Sequence, residues 1–129
     1  MRLAIINNTS KGTSGGHIKY LKNIIENIGS NKEIKSALVL SPIFYPLDTN
    51  NFNKIILKSF KPLNIVKGTH PSKKLKFHIK EFKPDLIFIP NERYLYFKNI
   101  PTIIMVRNME PLVKISDNPI NELIINKLK

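Results

Sequence analysis

Apolar positions along this chain fall into two rhythms. Leu3 to Ile6 is a short unbroken apolar run that gives way to Asn7, Asn8, Thr9 and Ser10, and then to glycines at 12, 15 and 16. A run of that length, ended by a flexible loop, predicts a buried strand. From Gly16 the period changes. Ile18, Leu21, Ile24, Ile25 and Ile28 recur at steps of three and four and so share one helix face, with Gly29 as a stop. Ile34 to Leu40 reads as a second strand closed by Ser41-Pro42. After the loop SPIFYPLDTNN, Asp48 or Thr49 would cap a helix whose face is Phe52, Ile55, Ile56 and Phe60. Leu63 to Val66 would then be a third strand. Ser72 is placed to cap a helix carrying Leu75, Ile79 and Phe82, whose other faces hold Lys73, Lys74, Lys76 and Lys80. Asp85 to Ile89, bracketed by Pro84 and Pro90, and Pro101 to Val106 read as strands covered on both faces. Asn118 and Pro119 open a last helix lined by Ile120, Leu123, Ile124 and Leu128.

Unbroken apolar strands alternating with amphipathic helices predict an α/β fold, a Rossmann-like doubly wound parallel sheet of about five strands with helices on both faces. The strands would begin near residues 2, 34, 63, 85 and 101, in one domain spanning 1–129. Ligands of such sheets bind beyond the carboxyl ends of the strands. That rule selects Asn7 to Gly16, Ser41 to Pro46, Lys67 to Pro71, Pro90 to Arg93 and Arg107 to Pro111.

Composition narrows the function classes. No apolar run approaches the roughly 18–20 residues that cross a bilayer. Met1-Arg2 leads straight into the first apolar run without the pattern of a signal peptide, and there is no cysteine, so a cytoplasmic location is expected, with contact at the inner face of the membrane as an option. The formal net charge is +12. Such a balance suits nucleic acid or an anionic membrane. Yet only Arg2, Arg93 and Arg107 among the 21 basic residues are Arg, and Lys, Asn and Ile are abundant together, as a genome rich in A and T would also produce. Arginine, with its planar fork, is the residue that reads bases and phosphates bidentately. Compositional drift and a functional basic surface both stay open on these grounds.

The first loop is the strongest candidate for chemistry. Glycine lets a backbone approach a ligand closely, and the helix start behind Ser14, Gly15 and Gly16 presents free N–H groups that favour an anion. The spacing matches neither the Walker loop nor the dinucleotide fingerprint, so ATP and NAD are disfavoured. A tight strand-to-helix turn is the plainer reading. His17 at that helix start could donate to a substrate, or be a lone surface histidine. His70 and His78 have no cluster of acids or cysteines around them, so no metal site is expected. Arg107, Asn108 and Glu110 follow a buried strand. Arg107 could grip a phosphate or carboxylate, or pair with Glu92 or Glu110. Asn91, Glu92 and Arg93 end the neighbouring strand, where Glu92 could act as base or hydroxyl acceptor, or simply be solvated. Asp85 reads as a turn residue.

Taken in order, MRLAIINNTSKGTSGGHIKYLKNII, KPDLIFIPNE, IPTIIMVRNMEP and SDNPINELIINKLK resemble the N-terminal domain of group 1 (family 4) glycosyltransferases, which have the two-domain B-type architecture. The resemblance implies transfer of a sugar from a nucleotide-sugar donor to a glycan or lipid-linked acceptor, with retention and without a required metal or other cofactor. It implies that Gly15 and Gly16 lie near the donor phosphates and that this domain holds mainly the acceptor, with Asn91, Glu92, Arg107, Asn108 and Glu110 at the cleft. Many members carry a His where Arg107 stands, so a His-dependent role at that place is not implied here. The family's donor-binding C-terminal domain, with its paired glutamates, has no counterpart in these residues. The resemblance is thus to an incomplete enzyme, a gene fragment, a split subunit completed by a second chain or a truncated one, expected to be inactive alone.

Two other readings compete. A basic module docking on an anionic membrane or nucleic acid rests on the net charge and on HPSKKLKFHIK. Nucleic acid is the weaker partner, because the aromatics Phe77, Tyr94, Tyr96 and Phe97 read as core or crevice lining rather than as a stacking platform. A flavodoxin-like or response-regulator-like domain fits the length, but Asn7 and Asn8 stand where a phosphoacceptor would need acids.

Overall fold

A computed structural model of the chain describes residues 1–9, 15–42, 54–60, 70–91 and 93–105. Seven elements follow in order: β1 (Arg2–Ile6), α1 (Gly15–Ser30), β2 (Ser36–Ser41), β3 (Ile55–Ser59), α2 (Lys73–Phe82), β4 (Leu86–Ile89) and β5 (Thr102–Ile104). The five strands form one sheet in the order β3-β2-β1-β4-β5, and every pairing is parallel. This is an α/β arrangement of the Rossmann-like kind.

Alternation along the strands sorts the core into two layers. Leu3 and Ile5 of β1, Ala37 and Val39 of β2, and Leu86 and Phe88 of β4 pack with Leu21, Ile25 and Ile28 of α1. The residues between them, Ala4, Ile6, Leu38, Leu40, Ile87 and Ile89, pack with Leu75, Ile79 and Phe82 of α2. The two helices therefore cover opposite faces, and the inner strands are apolar at consecutive positions because both sides are buried. Among the described residues, no helix is long and apolar enough to cross a membrane.

Helix ends follow local chemistry. Ser72 sits in extended geometry (φ −62°, ψ 159°) and its hydroxyl accepts from the Leu75 N–H at 3.3 Å, the expected N-cap. Lys83 closes α2 in the left-handed region (φ 50°, ψ 63°), and its N–H bonds the Ile79 carbonyl at 2.9 Å. Asp85 is a turn residue with a structural task, since its carboxylate accepts from the Arg2 N–H at 2.7 Å and ties the start of β1 to that of β4. The Arg2 guanidinium lies 4.8 Å from the Phe82 ring centroid and covers the end of α2.

The helix expected over Phe52 to Phe60 is a strand at Ile55–Ser59. Ile55 and Leu57 pack toward α1, Phe60 is buried on the α2 side, and Ile56 stands between them half-exposed. The alternation is genuine, but a cluster of apolar residues at a sheet edge mimics a helix face when Phe52 and Phe60 are counted with it. The third strand among the described residues ends at Ser59; the strand expected at Leu63 to Val66, and with it the start of the segment Lys67 to Pro71, lies outside the described residues. α1 runs through Gly29 to Ser30, and β2 starts at Ser36 rather than Ile34. Finally, Ile103 and Ile104 of β5 are exposed, so this outer strand is not covered on both faces as expected. The helix expected from Asn118 lies outside the described residues.

Candidate functional site

Polarity enters the sheet at one edge. β1 is apolar through Ile6, and then Asn7 follows, wholly buried, with its N–H still bonded to the Leu40 carbonyl at 2.8 Å. By strand alternation Asn7 lies on the side of Ile5, the face that α1 covers. The register sets Ile6 beside Leu40, so Asn7 comes level with Ser41 at the end of β2. The Asn7 Nδ2 donates to Ser41 Oγ at 3.1 Å. From α1, His17 brings its Nε2 to 3.2 Å from Asn7 Oδ1, which also accepts from Thr9 Oγ1 at 2.7 Å. An amide oxygen only accepts, so Nε2 carries the ring proton and, in the neutral ring, Nδ1 is the acceptor. His17 is buried, which corrects the alternative of a lone surface histidine.

The neighbouring strand contributes a second polar group. Pro90 and Asn91 follow β4 and are both buried. Asn91 Oδ1 accepts from the Arg93 N–H at 3.0 Å, which fixes the amide's orientation, and its Nδ2 is buried without a hydrogen-bond partner among the described residues. The Arg93 guanidinium reaches the Asn8 carbonyl at 3.4 Å and so spans from the segment after β4 to the segment after β1. Those two strands flank the topological switch point: the chain leaves β1 over one face through α1 and enters β4 from the other through α2. Crevices at such points are where ligands of open parallel sheets bind.

β5 joins the same rim. Met105 follows it, with its N–H on the Ile89 carbonyl at 2.9 Å, and its sulfur accepts from the Tyr20 hydroxyl at 2.7 Å. The opening turn of α1, beginning at Gly15, thus lies on the same edge as the ends of β1, β2, β4 and β5. No acidic residue stands in that first turn. Its N–H groups and the positive end of the helix dipole are therefore not offset by a neighbouring carboxylate on the helix.

Of the residues singled out from sequence, Gly15, Gly16, His17 and Asn91 meet at this rim. Ser14, Glu92, Arg107, Asn108 and Glu110 lie outside the described residues. The sequence pattern places Asn7 to Gly16 and Ser41 to Pro46 beyond strand ends without giving Asn7, Asn8, Thr9 or Ser41 a role, and it gives none to Tyr20. The signal was a change from apolar to small polar residues directly at strand ends, in IINNT, LVLS and FIPN. The aromatic group splits: Phe97 goes into the core with Leu95, whereas Phe77, Tyr94 and Tyr96 are exposed and so do not belong to the core. No group of three or more His, Asp or Glu side chains is arranged to hold a metal among the described residues.

Chemically, the rim offers amides, hydroxyls and an imidazole, which donate and accept as a polyol does, beside a helix start suited to an anion. Comparisons with protein-family models, with curated proteins and with solved structures match nothing.

Proposed function

We propose that this chain is the acceptor-side half of a two-domain, B-type glycosyltransferase, acting on a nucleotide-sugar donor and a glycan or lipid-linked saccharide acceptor. The observation that carries the reading is the buried polar rim at the switch point, where Asn7, His17 and Ser41 are linked beside Asn91 and Arg93. The ordered likeness of the motifs around it to the glycosyltransferase N-terminal domain supports the same reading. The opening turn of α1 would face the donor diphosphate. The amide and imidazole groups would orient acceptor hydroxyls. In transfer, the sugar's bond to the diphosphate oxygen breaks, a bond to an acceptor hydroxyl oxygen forms, and that hydroxyl's proton passes to a base. Arg107 would stabilise the departing diphosphate, and Glu92 would accept a hydroxyl hydrogen bond. Completion of the donor site would fall to a second domain or chain.

The reading is tested by amide NMR of the chain titrated with uridine- and guanosine-diphosphate sugars and with oligosaccharides. Shifts confined to Asn7, Gly15 to His17 and Asn91 are expected. Saturating additions that leave those amides unmoved would remove the reading. A separately expressed donor-binding half should then restore transfer of labelled sugar, and its failure to do so would count against this assignment even if binding is seen.

A further inference from the structure

At the edge opposite this crevice lies a cleft of about 430 Å³ lined by Lys76, Ile79, Lys80, Lys83, Pro84, Phe97 and Ile100. Its place follows from the elements. Ile79, Lys80 and Lys83 close α2, Pro84 precedes β4, and Ile100 precedes β5, so the cleft sits at the amino ends of these two strands on the α2 face. The volume falls within the range of small-molecule sites, about 300–1,000 Å³. Its floor is apolar and its rim is made of ammonium groups.

The rim is more than a scatter of surface charge. Positions 76, 80 and 83 follow one another at steps of four and three, and position 73 extends the same stripe, so Lys73, Lys76, Lys80 and Lys83 share one side of α2. All four are exposed. The acid of this helix, Glu81, stands about 100° round from Lys80 and lines no part of the cleft. No ion pair to these lysines is found among the described residues. Complementing the helix dipole accounts for Lys80 and Lys83 in the final turn, but not for Lys73 and Lys76 nor for an apolar floor beside them. Phe77 on the same helix and Tyr96 beside Phe97 are exposed, as aromatics are at a lipid–water boundary.

We propose that this cleft is a docking site for the surface of an anionic bilayer, with the headgroup phosphates on Lys76, Lys80 and Lys83 and the upper acyl chain of a lipid on Ile79, Pro84, Phe97 and Ile100. Charge complementarity selects the anion, and the apolar floor selects a lipid over nucleic acid, which would leave that floor uncovered and would favour Arg. The lysine stems lie along the floor while their heads reach the phosphate plane. Docking by this edge leaves the crevice at the opposite edge accessible, so the proposal stands apart from sugar transfer.

Flotation with vesicles of phosphatidylglycerol and phosphatidylcholine tests it. The chain is expected to float with anionic vesicles and not with pure phosphatidylcholine. The triple variant Lys76→Gln, Lys80→Gln, Lys83→Gln should lose affinity on the order of 100-fold, given what each lysine near an anionic surface contributes. A control with the same net charge, Lys19→Gln, Lys22→Gln, Lys32→Gln, changes lysines on α1 and the turn after it and should lose far less. Ile100→Ser keeps every lysine and should weaken binding several-fold. Equal losses in the two triple variants would reduce the effect to net charge and overturn the proposal. So would an unchanged affinity in Ile100→Ser, or binding of a single-stranded RNA oligonucleotide with the same lysine dependence when vesicles are ignored. Circular dichroism melts of each variant check that it folds.

Discussion

Asn7 shows how much one residue can fix. It is wholly buried, and among the described residues its side chain joins Ser41, Thr9 and His17, which arrive from β2, from its own loop and from α1. Replacing it with alanine would remove its side-chain hydrogen bonds to Ser41, His17 and Thr9. Losing a buried, hydrogen-bonded polar side chain costs about 1–3 kcal/mol. Asn7→Ala is therefore expected to lower stability by about that much in urea denaturation, with an unchanged slope; a loss within about 0.5 kcal/mol, as for an ordinary surface substitution, would show that the network carries no weight. From sequence, Asn7 and Asn8 open a loop beyond the first strand and stand where a phosphoacceptor site would need acids, with no partner assigned to either. What they do instead depends on strand register and on a helix ten residues away, neither of which a local pattern carries.

At the level of elements, β3 is the informative case. Two of its five residues, Ile55 and Ile56, fall with Phe52 and Phe60 on the helix face that the sequence pattern predicts, yet the segment IILKS pairs in parallel with β2 from Ala37↔Ile55 to Ser41↔Ser59. The two assignments separate by mutation. On a helix Ile55 and Ile56 share one face, whereas on this strand Leu57 packs against the α1 layer and Ile56 points away at 42% exposed. Leu57→Lys should destabilise by more than about 1 kcal/mol through lost burial, and Ile56→Lys by no more than about 0.5. Equal costs in thermal melts would return the segment to the helical assignment. Strong local signals served better elsewhere: the Ser72 cap and the Leu75, Ile79, Phe82 stripe of α2 were legible, because capping and helical period are encoded within one or two turns.

Across the whole molecule, position in the sheet sets the worth of a residue. Ile5 lies on the central strand, wholly buried between β2 and β4 and under α1, whereas Ile103 lies on the outer strand β5 at 53% exposed. Ile5→Ala is expected to cost about 2–5 kcal/mol and Ile103→Ala much less, near the range of surface substitutions. Similar costs at the two positions in chemical denaturation would contradict the strand order. The same order separates two distinct edges: the polar crevice at the carboxyl ends of β1 and β4, and the lysine-rimmed cleft at the amino ends of β4 and β5. The sequence placed Gly15, Gly16, His17 and Asn91 at strand ends and helix starts, but it did not bring Asn7, Ser41 and His17 into contact. Nor did the lysines of α2, plain in HPSKKLKFHIK, reveal the apolar floor of Phe97 and Ile100 beside them.

By itself the sequence determined an α/β chain with apolar inner strands, an amphipathic α1, a capped α2 and polar residues clustered after the strands. Those properties arise from contacts a few residues apart, where side-chain period, capping and turn chemistry act. Only the tertiary structure decided that Ile55–Ser59 is a strand, that β1 lies between β2 and β4, and that Asn7, Ser41 and His17 form one buried network. The reason is physical: hydrogen bonds between strands and the burial of both sheet faces join residues far apart in the chain, and their free energy outweighs local preference at an edge such as β3.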